Sequence, residues 1–276
     1  MAPIFELSSS LRRHLQEPLP FERLLDMPGK VHRAFRNRRT VEFEAGGKRY
    51  FIKAHRGCGW GEVIKEWLQG RHPINSARNE WEAIERLHQL GIPTMTLAGK
   101  GLRGRSPAGL ESFVITEALE GMVSLEDLVR DWGGLKGPAR QRLQDALVDR
   151  LAVLARRFHD GGLNHRDFYL CHFLVRDREW TAWRPGDVLD LHVIDLHRVQ
   201  CRDKVPERWV IKDLGALLCS SFDWGVRRRD LARFVRGYAG KPWRGMNASE
   251  KTFWRSVWRR AYSLFTGFYK RRPPGH

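Results

Sequence analysis

The order of strand and helix patterns along the chain constrains its fold more than any other feature. Residues 40–44 alternate in polarity, residues 45–48 form a glycine-containing turn sequence, and residues 49–53 read as the return strand. Alternation with a period of two indicates half-buried strands, and a glycine pair between two such runs indicates a hairpin. We therefore predict strands over residues 31–53, followed by a glycine-rich loop at residues 57–61.

The rest of the pattern is mainly helical. Residues 76–90 carry apolar side chains at helical spacing, which predicts an amphipathic helix. Residues 113–116 and 191–194 are short apolar runs typical of buried strands. Further helices are predicted over residues 125–131, over residues 138–159 and throughout the chain beyond Lys212.

This order predicts an α+β protein with two lobes. Residues 1–116 would form a β-rich, nucleotide-binding N-lobe, and residues 117–276 a mainly helical C-lobe with the catalytic loop, the metal site and an acceptor-binding region. The boundary is expected near residues 117–121.

The charge of the chain restricts its partners. It has 49 Lys and Arg residues against 32 Asp and Glu residues, a formal net charge of +17, which attracts polyanions. Nucleic acid, an anionic membrane or glycolipid, nucleotide phosphates and an acidic protein are all candidates.

Four widely spaced cysteines without a CxxC pair favour reduced thiols in the cytosol. The sequence shows no secretory signal and no apolar run long enough to span a bilayer, so any membrane contact is expected to be peripheral.

Four residues supply the parts that phosphoryl transfer needs, in a consistent order. Asp167 follows a long helix in a loop and could orient an attacking hydroxyl. Asp195, at the end of the apolar run 191–194 and 28 residues after Asp167, could hold a metal ion. Lys53 on a strand could bind phosphates, and Glu80 on the next helix could hold that lysine in place.

These residues resemble those of protein kinases. The resemblance implies a catalytic loop with His165, Arg166 and Asp167, and it makes Asp195 the metal aspartate and Lys53 with Glu80 the phosphate-binding pair. It also implies that Asp213 braces the catalytic loop, and we predict that Glu117 and Leu119 bind the nucleotide. Three features depart from protein kinases: His172 replaces a metal-binding asparagine, Leu-His-Arg follows Asp195, and the loop at residues 36–39 has no glycine.

A narrower resemblance covers residues 30–240. The run Asn-His-Arg-Asp-Phe-Tyr-Leu-Cys-His-Phe at residues 164–173 is similar to the catalytic loop of the lipopolysaccharide core heptose(I) kinases. Residues 194–198, 78–81, 55–62 and 211–214 match the same family. The resemblance implies a two-lobed protein-kinase-like fold, the cofactors ATP and Mg²⁺, and phosphate transfer to the first inner-core heptose at O4. It also implies a cytoplasmic enzyme that lies peripherally at the inner membrane of a Gram-negative bacterium.

The implied acceptor is a large anionic glycolipid, which suits dense arginine because guanidinium groups bind carboxylates and phosphates through paired hydrogen bonds. The candidate acceptor-binding residues are Arg36, Arg38, Arg39, Arg56 and Arg198.

Several alternatives stay open at the level of sequence. His172 could join Asp195 at the metal, or His165, His172, His192 and Cys171 could form a zinc cluster, although their spacing matches no standard zinc site.

The basic, aromatic pattern of residues 247–272 could pack on the C-lobe, which we favour, or contact an anionic membrane or an acidic protein. A kinase acting on protein Ser, Thr or Tyr is the alternative enzyme, although no Ala-Pro-Glu motif follows Asp195. A nucleic-acid-binding protein is the third possibility, but no base-stacking motif supports it and nucleic acid is not an expected partner.

Overall fold

A computed structural model describes residues 3–15, 19–35, 37–57, 59–61 and 76–273 of the chain. The described chain divides into two compact units. The first comprises the residues up to Glu85, together with Met95–Glu120 and Leu196–Arg198. The second comprises Arg86–Thr94, Gly121–Asp195 and the chain from Val199 onward. The proposed division of labour between nucleotide binding and acceptor binding stays a prediction.

The first unit is built on a six-stranded antiparallel sheet in the order β1-β5-β6-β4-β3-β2. Its strands are β1 (Ile4–Leu7), β2 (Lys30–Phe35), β3 (Arg38–Ala45), β4 (Lys48–His55), β5 (Leu97–Arg103) and β6 (Glu111–Glu117). Two short helices, α1 (Ser9–His14) and α2 (Phe21–Leu25), precede β2, and α3 (Arg78–Gln89) follows β4.

The predicted hairpin is confirmed in β3 and β4. Ala45 pairs with Lys48, and Gly46 and Gly47 between them have φ angles of 58° and 73°. A two-residue turn with positive φ at both central positions matches the right-handed twist of the flanking strands, and glycine adopts it without strain. The turn chemistry therefore fixes the register that places Lys53 on β4.

Alternation along β4 separates its core residues from Lys53. Tyr50 and Ile52 are buried in a cluster with Leu11 and Leu24 of the two N-terminal helices. Successive side chains on a strand point to opposite faces, so Lys53 lies on the face away from this cluster. The apolar core thus fixes the direction in which Lys53 points.

The second unit is mainly helical. It contains α4 (Leu125–Asp131), α5 (Gly137–Asp160), α6 (Asp177–Thr181), α7 (Glu207–Ser221), α8 (Arg228–Ala239) and α9 (Ala248–Tyr269). A three-stranded sheet has the order β10-β9-β7, with β7 (Met122–Ser124), β9 (Phe173–Arg176) and β10 (His192–Val193). A two-stranded ladder joins β8 (Leu163–Asn164) to β11 (Gln200–Cys201). The described residues include no helix long and apolar enough to cross a membrane.

The prediction of continuous helix beyond Lys212 is wrong in two places. Gly225 and Gly240 adopt left-handed φ angles of 69° and 72° after a 3₁₀ turn and after α8, respectively. A glycine in this conformation commonly ends a helix. The last helix then starts anew from Asn247, whose side chain caps α9 and exchanges hydrogen bonds with Glu250.

The C-terminal helix packs on the second unit, as favoured. Trp254, Val257, Ala261 and Phe265 are buried, and α9 lies along α7. The aromatic residue Phe268 is exposed at the end of the helix. The apolar stripe that could have faced a membrane is therefore mostly used inside the protein.

Candidate active site

The predicted lysine–glutamate pair is present in the first unit. Lys53 Nζ lies 2.6 Å from Glu80 Oε1, and the Glu80 side chain is 2% exposed. Glu80 was predicted on α3, where Trp81, Ile84 and Leu87 form the buried face. A buried carboxylate needs a cation or hydrogen-bond donors, because its desolvation is otherwise very costly. The pair therefore fixes the Lys53 ammonium group at one position on the sheet.

Asp213 of α7 holds the backbone of the predicted catalytic loop. Its carboxylate is fully buried and accepts hydrogen bonds from two consecutive amides, His165 N–H at 2.6 Å and Arg166 N–H at 2.8 Å. Charge-assisted bonds of this kind are about twice as strong as neutral ones. The geometry is that of the predicted brace.

Two residues of the site have left-handed backbone conformations without being glycine. Arg166 has φ of 74° and Asp195 has φ of 59°. Such conformations cost about 1–3 kcal/mol and persist only where the surroundings enforce them. For Arg166 the enforcing contact is Asp213, and the result is a sharp turn immediately before Asp167.

His165 links the two loops of the site through a neutral ring. Its Nε2–H donates to the carbonyl oxygen of Ile194 at 2.9 Å, and its Nδ1 accepts from the Asp167 N–H at 3.3 Å. The pKa of His165 is lowered, mainly by burial, and the lowered pKa keeps the ring uncharged. Both nitrogens are occupied, so His165 positions Asp167 and the residue before Asp195. Its part in catalysis stays a prediction.

His172 brings Asp167 and Asp195 together. Its Nδ1–H donates to the Asp167 carbonyl oxygen at 2.6 Å, because a carbonyl can only accept. The other nitrogen, Nε2, lies 3.4 Å from Asp195 Oδ2. In the neutral ring this nitrogen carries a lone pair, so two acceptor atoms face each other. Such a pair suits a shared cation or a proton.

The zinc alternative finds no support in the described part of the chain. No group of three or more His, Cys, Asp or Glu side chains there is arranged to hold a metal ion. Both ring nitrogens of His165 are engaged, and burial raises the pKa of Cys171 to about 11, which disfavours the thiolate that zinc requires. The cluster proposed from sequence therefore lacks two of its four ligands.

The predicted acceptor-binding arginines that are described lie in the first unit. Arg39 donates to the Met27 carbonyl oxygen, and Arg56 pairs with Asp26 and more distantly with Glu111. Arg38 is on β3, and Arg198 ends the 3₁₀ turn that follows Asp195. Arg36 lies outside the described residues, as does part of the predicted glycine-rich loop. Their binding role stays a prediction.

The predicted nucleotide-binding residues at the lobe boundary have defined surroundings. Glu117 ends β6; its amide donates to the Thr96 carbonyl oxygen, and its carboxylate lies 3.2 Å from Lys48 Nζ. Leu119 follows two residues later and is half-buried. Nucleotide binding by both residues stays a prediction.

Sequence reasoning missed two residues behind the brace. His159 at the end of α5 is buried; its Nδ1 lies 2.9 Å from the Tyr238 hydroxyl and its Nε2 lies 3.5 Å from Asp213 Oδ2. A histidine in the last turn of a helix is usually explained by the helix dipole, so the sequence offered no signal for this contact. The Tyr238 hydroxyl thus contacts one ring nitrogen of His159, and the other faces Asp213.

Comparison with known proteins decides the family. The family model described as lipopolysaccharide kinase (Kdo/WaaP) family matches residues 22–238, which is most of the chain. The chain belongs to the lipopolysaccharide kinase (Kdo/WaaP) family. It is accordingly a kinase, a transferase that moves phosphate to an alcohol group.

Individual proteins similar to this chain support its membership of the family. Lipopolysaccharide core heptose(I) kinase WaaP from Pseudomonas aeruginosa is 42% identical over 264 residues, covering 92% of this chain and 96% of that protein. The protein of the same name from Escherichia coli strain K12 is 41% identical over 245 residues, covering 86% of this chain and 91% of that protein. A 3-deoxy-D-manno-octulosonic acid kinase from Actinobacillus succinogenes is more distant, at 23% identity over 67% of this chain and 72% of that protein.

A solved structure supports the fold. The structure described as WaaP in complex with acyl carrier protein is 38% identical, with a TM-score of 0.79 over 95% of this chain and 99% of that chain. The resemblance to the heptose(I) kinases and the α+β kinase-like fold, both predicted from sequence, are therefore confirmed.

Proposed function

We propose that this kinase transfers the γ-phosphate of ATP to O4 of the first heptose in the inner core of lipopolysaccharide. The observation that carries the proposal is the 41–42% identity, over most of the chain, to two proteins named as heptose(I) kinases. The paired residues Lys53 and Glu80, and the loop of Asp167 with its brace, supply the groups that phosphoryl transfer requires.

In this proposal the first unit binds the nucleotide through Lys53. Its ammonium group offers a positive charge to the phosphates, while the buried Glu80 keeps it from adopting other rotamers. Phosphoryl transfer depends mainly on positioning and on electrostatic stabilisation, so a fixed cation contributes directly to the rate.

Asp167 would accept the proton of the attacking hydroxyl. Its amide is bound by His165 and its carbonyl by His172, so its backbone is fixed on both sides. A base placed in this way contributes about 10²–10⁴-fold to rate. The carboxylate would orient the sugar oxygen before it takes the proton.

Asp195 and His172 would hold magnesium. Their acceptor atoms lie 3.4 Å apart, and Mg²⁺ typically takes one or two protein ligands and keeps several waters, so the pair fits such an ion. The nitrogen ligand is unusual, because magnesium prefers oxygen. When bound, the ion neutralises charge on the phosphates. Removing the Asp195 carboxylate by Asp195→Ala should abolish magnesium-dependent nucleotide binding, and unchanged magnesium dependence would refute this assignment.

The acceptor would be an anionic glycolipid that carries carboxylates and phosphates. The net charge of +17 attracts such a molecule, and Arg38, Arg39, Arg56 and Arg198 are candidates to bind it.

We further propose a cytoplasmic location with peripheral contact at the inner membrane, where the exposed Phe268 and the following basic residues could touch lipid. Flotation with anionic vesicles tests this, and absence from the vesicle fraction at low salt would refute it.

Transfer from labelled ATP tests the proposed activity. Dephosphorylated core glycolipid and a panel of protein substrates are each incubated with the wild-type chain and with Asp167→Ala. The proposal predicts that label enters the glycolipid with the wild type and falls by at least about 10²-fold with the variant. Label in protein alone would favour the protein kinase alternative instead.

An acyl carrier protein is a proposed partner. A relative was solved in complex with one, and the second unit here contains a cavity of about 1080 Å³ lined mainly by apolar side chains, among them Leu151, Leu217, Trp254 and Trp258. Apolar pockets of this size hold lipid-like ligands, and an acyl group is the one such a partner carries. Acylated carrier protein should bind more tightly than the unacylated form, and equal affinities would exclude the cavity from the interaction.

A further inference from the structure

Three cations surround one indole ring at the start of α7. Lys212 Nζ lies 4.1 Å from the ring centroid of Trp209, and the guanidinium carbons of Arg208 and Arg166 lie 5.6 Å and 5.7 Å from it. The face of an indole attracts cations, by about 0.5–1 kcal/mol each at exposed sites. Trp209 therefore gathers three like charges into one small region of the second unit.

Two members of this cluster, Arg208 and Lys212, are available to a ligand. Arg208 and Lys212 are exposed, and neither forms an ion pair within the described ranges of the chain. Asp213, the next residue, is buried and binds backbone amides. Glu207 is the acidic residue in the first turn of α7 and also lines a recess that includes Arg156. Like charges at this spacing repel one another, so an anion bound among them would be stabilised.

The end of the helix adds to the same field. α7 has 15 residues, and its N-cap is Pro206, which offers no side-chain acceptor to the first amides. The N-terminus of a helix carries a partial positive charge and presents backbone donors. Arg208 and Trp209 are in this first turn, so the helix end and the side-chain cations favour the same ligand.

The cluster is joined directly to the catalytic loop. The amide of Arg166 is bound by Asp213, which follows Lys212 on α7, and Arg166 immediately precedes Asp167. One carboxylate thus fixes both the turn before the proposed base and the helix that carries the cations. An anion held here would therefore bind next to the residue that precedes the proposed base in sequence.

We propose that Arg208 and Lys212, gathered with Arg166 around Trp209, form a subsite for the carboxylate of an acidic sugar that neighbours the phosphorylated sugar in the acceptor. The subsite rests on the proposed function, since the anionic core glycolipid supplies this carboxylate. Guanidinium groups suit it because they bind carboxylates through two parallel hydrogen bonds. None of the acceptor-binding arginines predicted from sequence belongs to this cluster.

Binding of a lipid-free probe tests the subsite. The probe is the dephosphorylated core oligosaccharide, used in its native form and after chemical reduction of its carboxylates to alcohols. For the wild type, the native form should bind about tenfold more tightly than the reduced form. Lys212→Gln and Arg208→Gln should lose this preference and raise the KM for the glycolipid by a similar factor, with the KM for ATP within about twofold of the wild type.

Arg140→Gln is the matched control. Its guanidinium lies 4.8 Å from the ring of Trp132, so the substitution removes a cation of the same kind from another tryptophan of the second unit. The control should keep the preference for the carboxylate form, which excludes an effect of net charge alone. Unfolding midpoints of all variants confirm that they fold.

Two results would overturn the subsite. In the first, Lys212→Gln prefers the native oligosaccharide over the reduced one as strongly as the wild type does. In the second, the variants change only the KM for ATP, which would assign the cluster to the nucleotide. Failure of the proposed function gives a different result. In that case the wild-type chain transfers no phosphate to glycolipid, while the binding comparison still shows whether the carboxylate is recognised.

Discussion

Asp213 shows how one side chain can determine the geometry of a site that it does not enter. Its two oxygens bind the amides of His165 and Arg166, and the resulting turn presents Asp167. The left-handed Arg166 backbone has no glycine to relieve it, so the carboxylate must supply the compensating energy. Behind this carboxylate, His159 Nε2 lies 3.5 Å from Asp213 Oδ2, and the other nitrogen of the ring contacts the Tyr238 hydroxyl.

Asp213→Asn should therefore impair catalysis and stability together. The amide group would turn one acceptor into a donor that faces a backbone N–H, which leaves a buried group unsatisfied at a cost of about 1–3 kcal/mol. Chemical denaturation should show this loss, and kcat should fall while the KM for ATP changes little. Asp203→Asn, an exposed aspartate in the same unit, is the control. Equal kcat values for the two variants would refute the bracing role.

His55 should make the stability of the chain depend on pH. Burial, together with the nearby positive charges of Arg38, Lys53 and His197, lowers the pKa of His55 to about 3. Between about pH 6.5 and pH 3 the unfolded chain binds a proton at this residue that the folded chain does not, so the free energy of unfolding falls as the pH falls. His55 alone lowers the free energy of unfolding by at most about 1.4 kcal/mol for each pH unit in this range.

Denaturation of the wild type and His55→Gln at pH 7.5 and pH 5 measures the effect. The variant should lose less stability between the two values, because its residue 55 does not titrate. Parallel losses in both proteins would show that His55 accepts its proton equally well in the folded state.

At the scale of elements, α7 connects the proposed catalytic loop to the C-terminal helix α9. One face carries Asp213 toward the catalytic loop, and its first turn carries Trp209. It also packs against α9, which approaches closely at Gly215. A Cβ atom added there would lie 2.6 Å from Cγ of Arg260 and 3.0 Å from its Cβ. The glycine thus permits the helix contact that buries Phe265 and its neighbours.

Gly215→Ala should destabilise the protein even though alanine favours helix. Overpacking costs about 1–3 kcal/mol, which exceeds the gain of about 1 kcal/mol in helix propensity. Gly267→Ala is the matched control, since no atom lies within 4 Å of the added Cβ in α9, and it should leave stability unchanged or raise it. Thermal unfolding of both variants measures the difference. A more stable Gly215→Ala protein would show that the two helices separate without cost.

At the scale of the whole molecule, local patterns were enough to predict the elements and several site residues. Period-two alternation and a glycine pair placed Lys53, and the spacing of apolar residues placed Glu80 on α3. The contact of Asp213 with the loop was predicted by resemblance, and its two hydrogen bonds are present, while its bracing role in catalysis stays a prediction. These features depend on neighbours in sequence or on a motif that one family shares.

Contacts between distant segments that no family motif specifies could not be predicted. His159 and Tyr238 are 79 residues apart, and nothing in either local sequence indicates that they meet. The three cations around Trp209 come from two segments whose meeting depends on how α7 packs against the catalytic loop. Charge counting gave the sign of the surface, but tertiary packing decides which cations cluster and which, like Arg56, are paired with acids.

The attachment site of phosphate on the core glycolipid tests the central claim most directly. Core glycolipid without phosphate is incubated with ATP, magnesium and either the wild-type chain or Asp167→Ala, and the products are mapped by mass spectrometry and NMR. The account predicts one added phosphoryl group at O4 of the first heptose with the wild type and almost none with the variant. Phosphate on another sugar, or equal phosphorylation by Asp167→Ala, would contradict it.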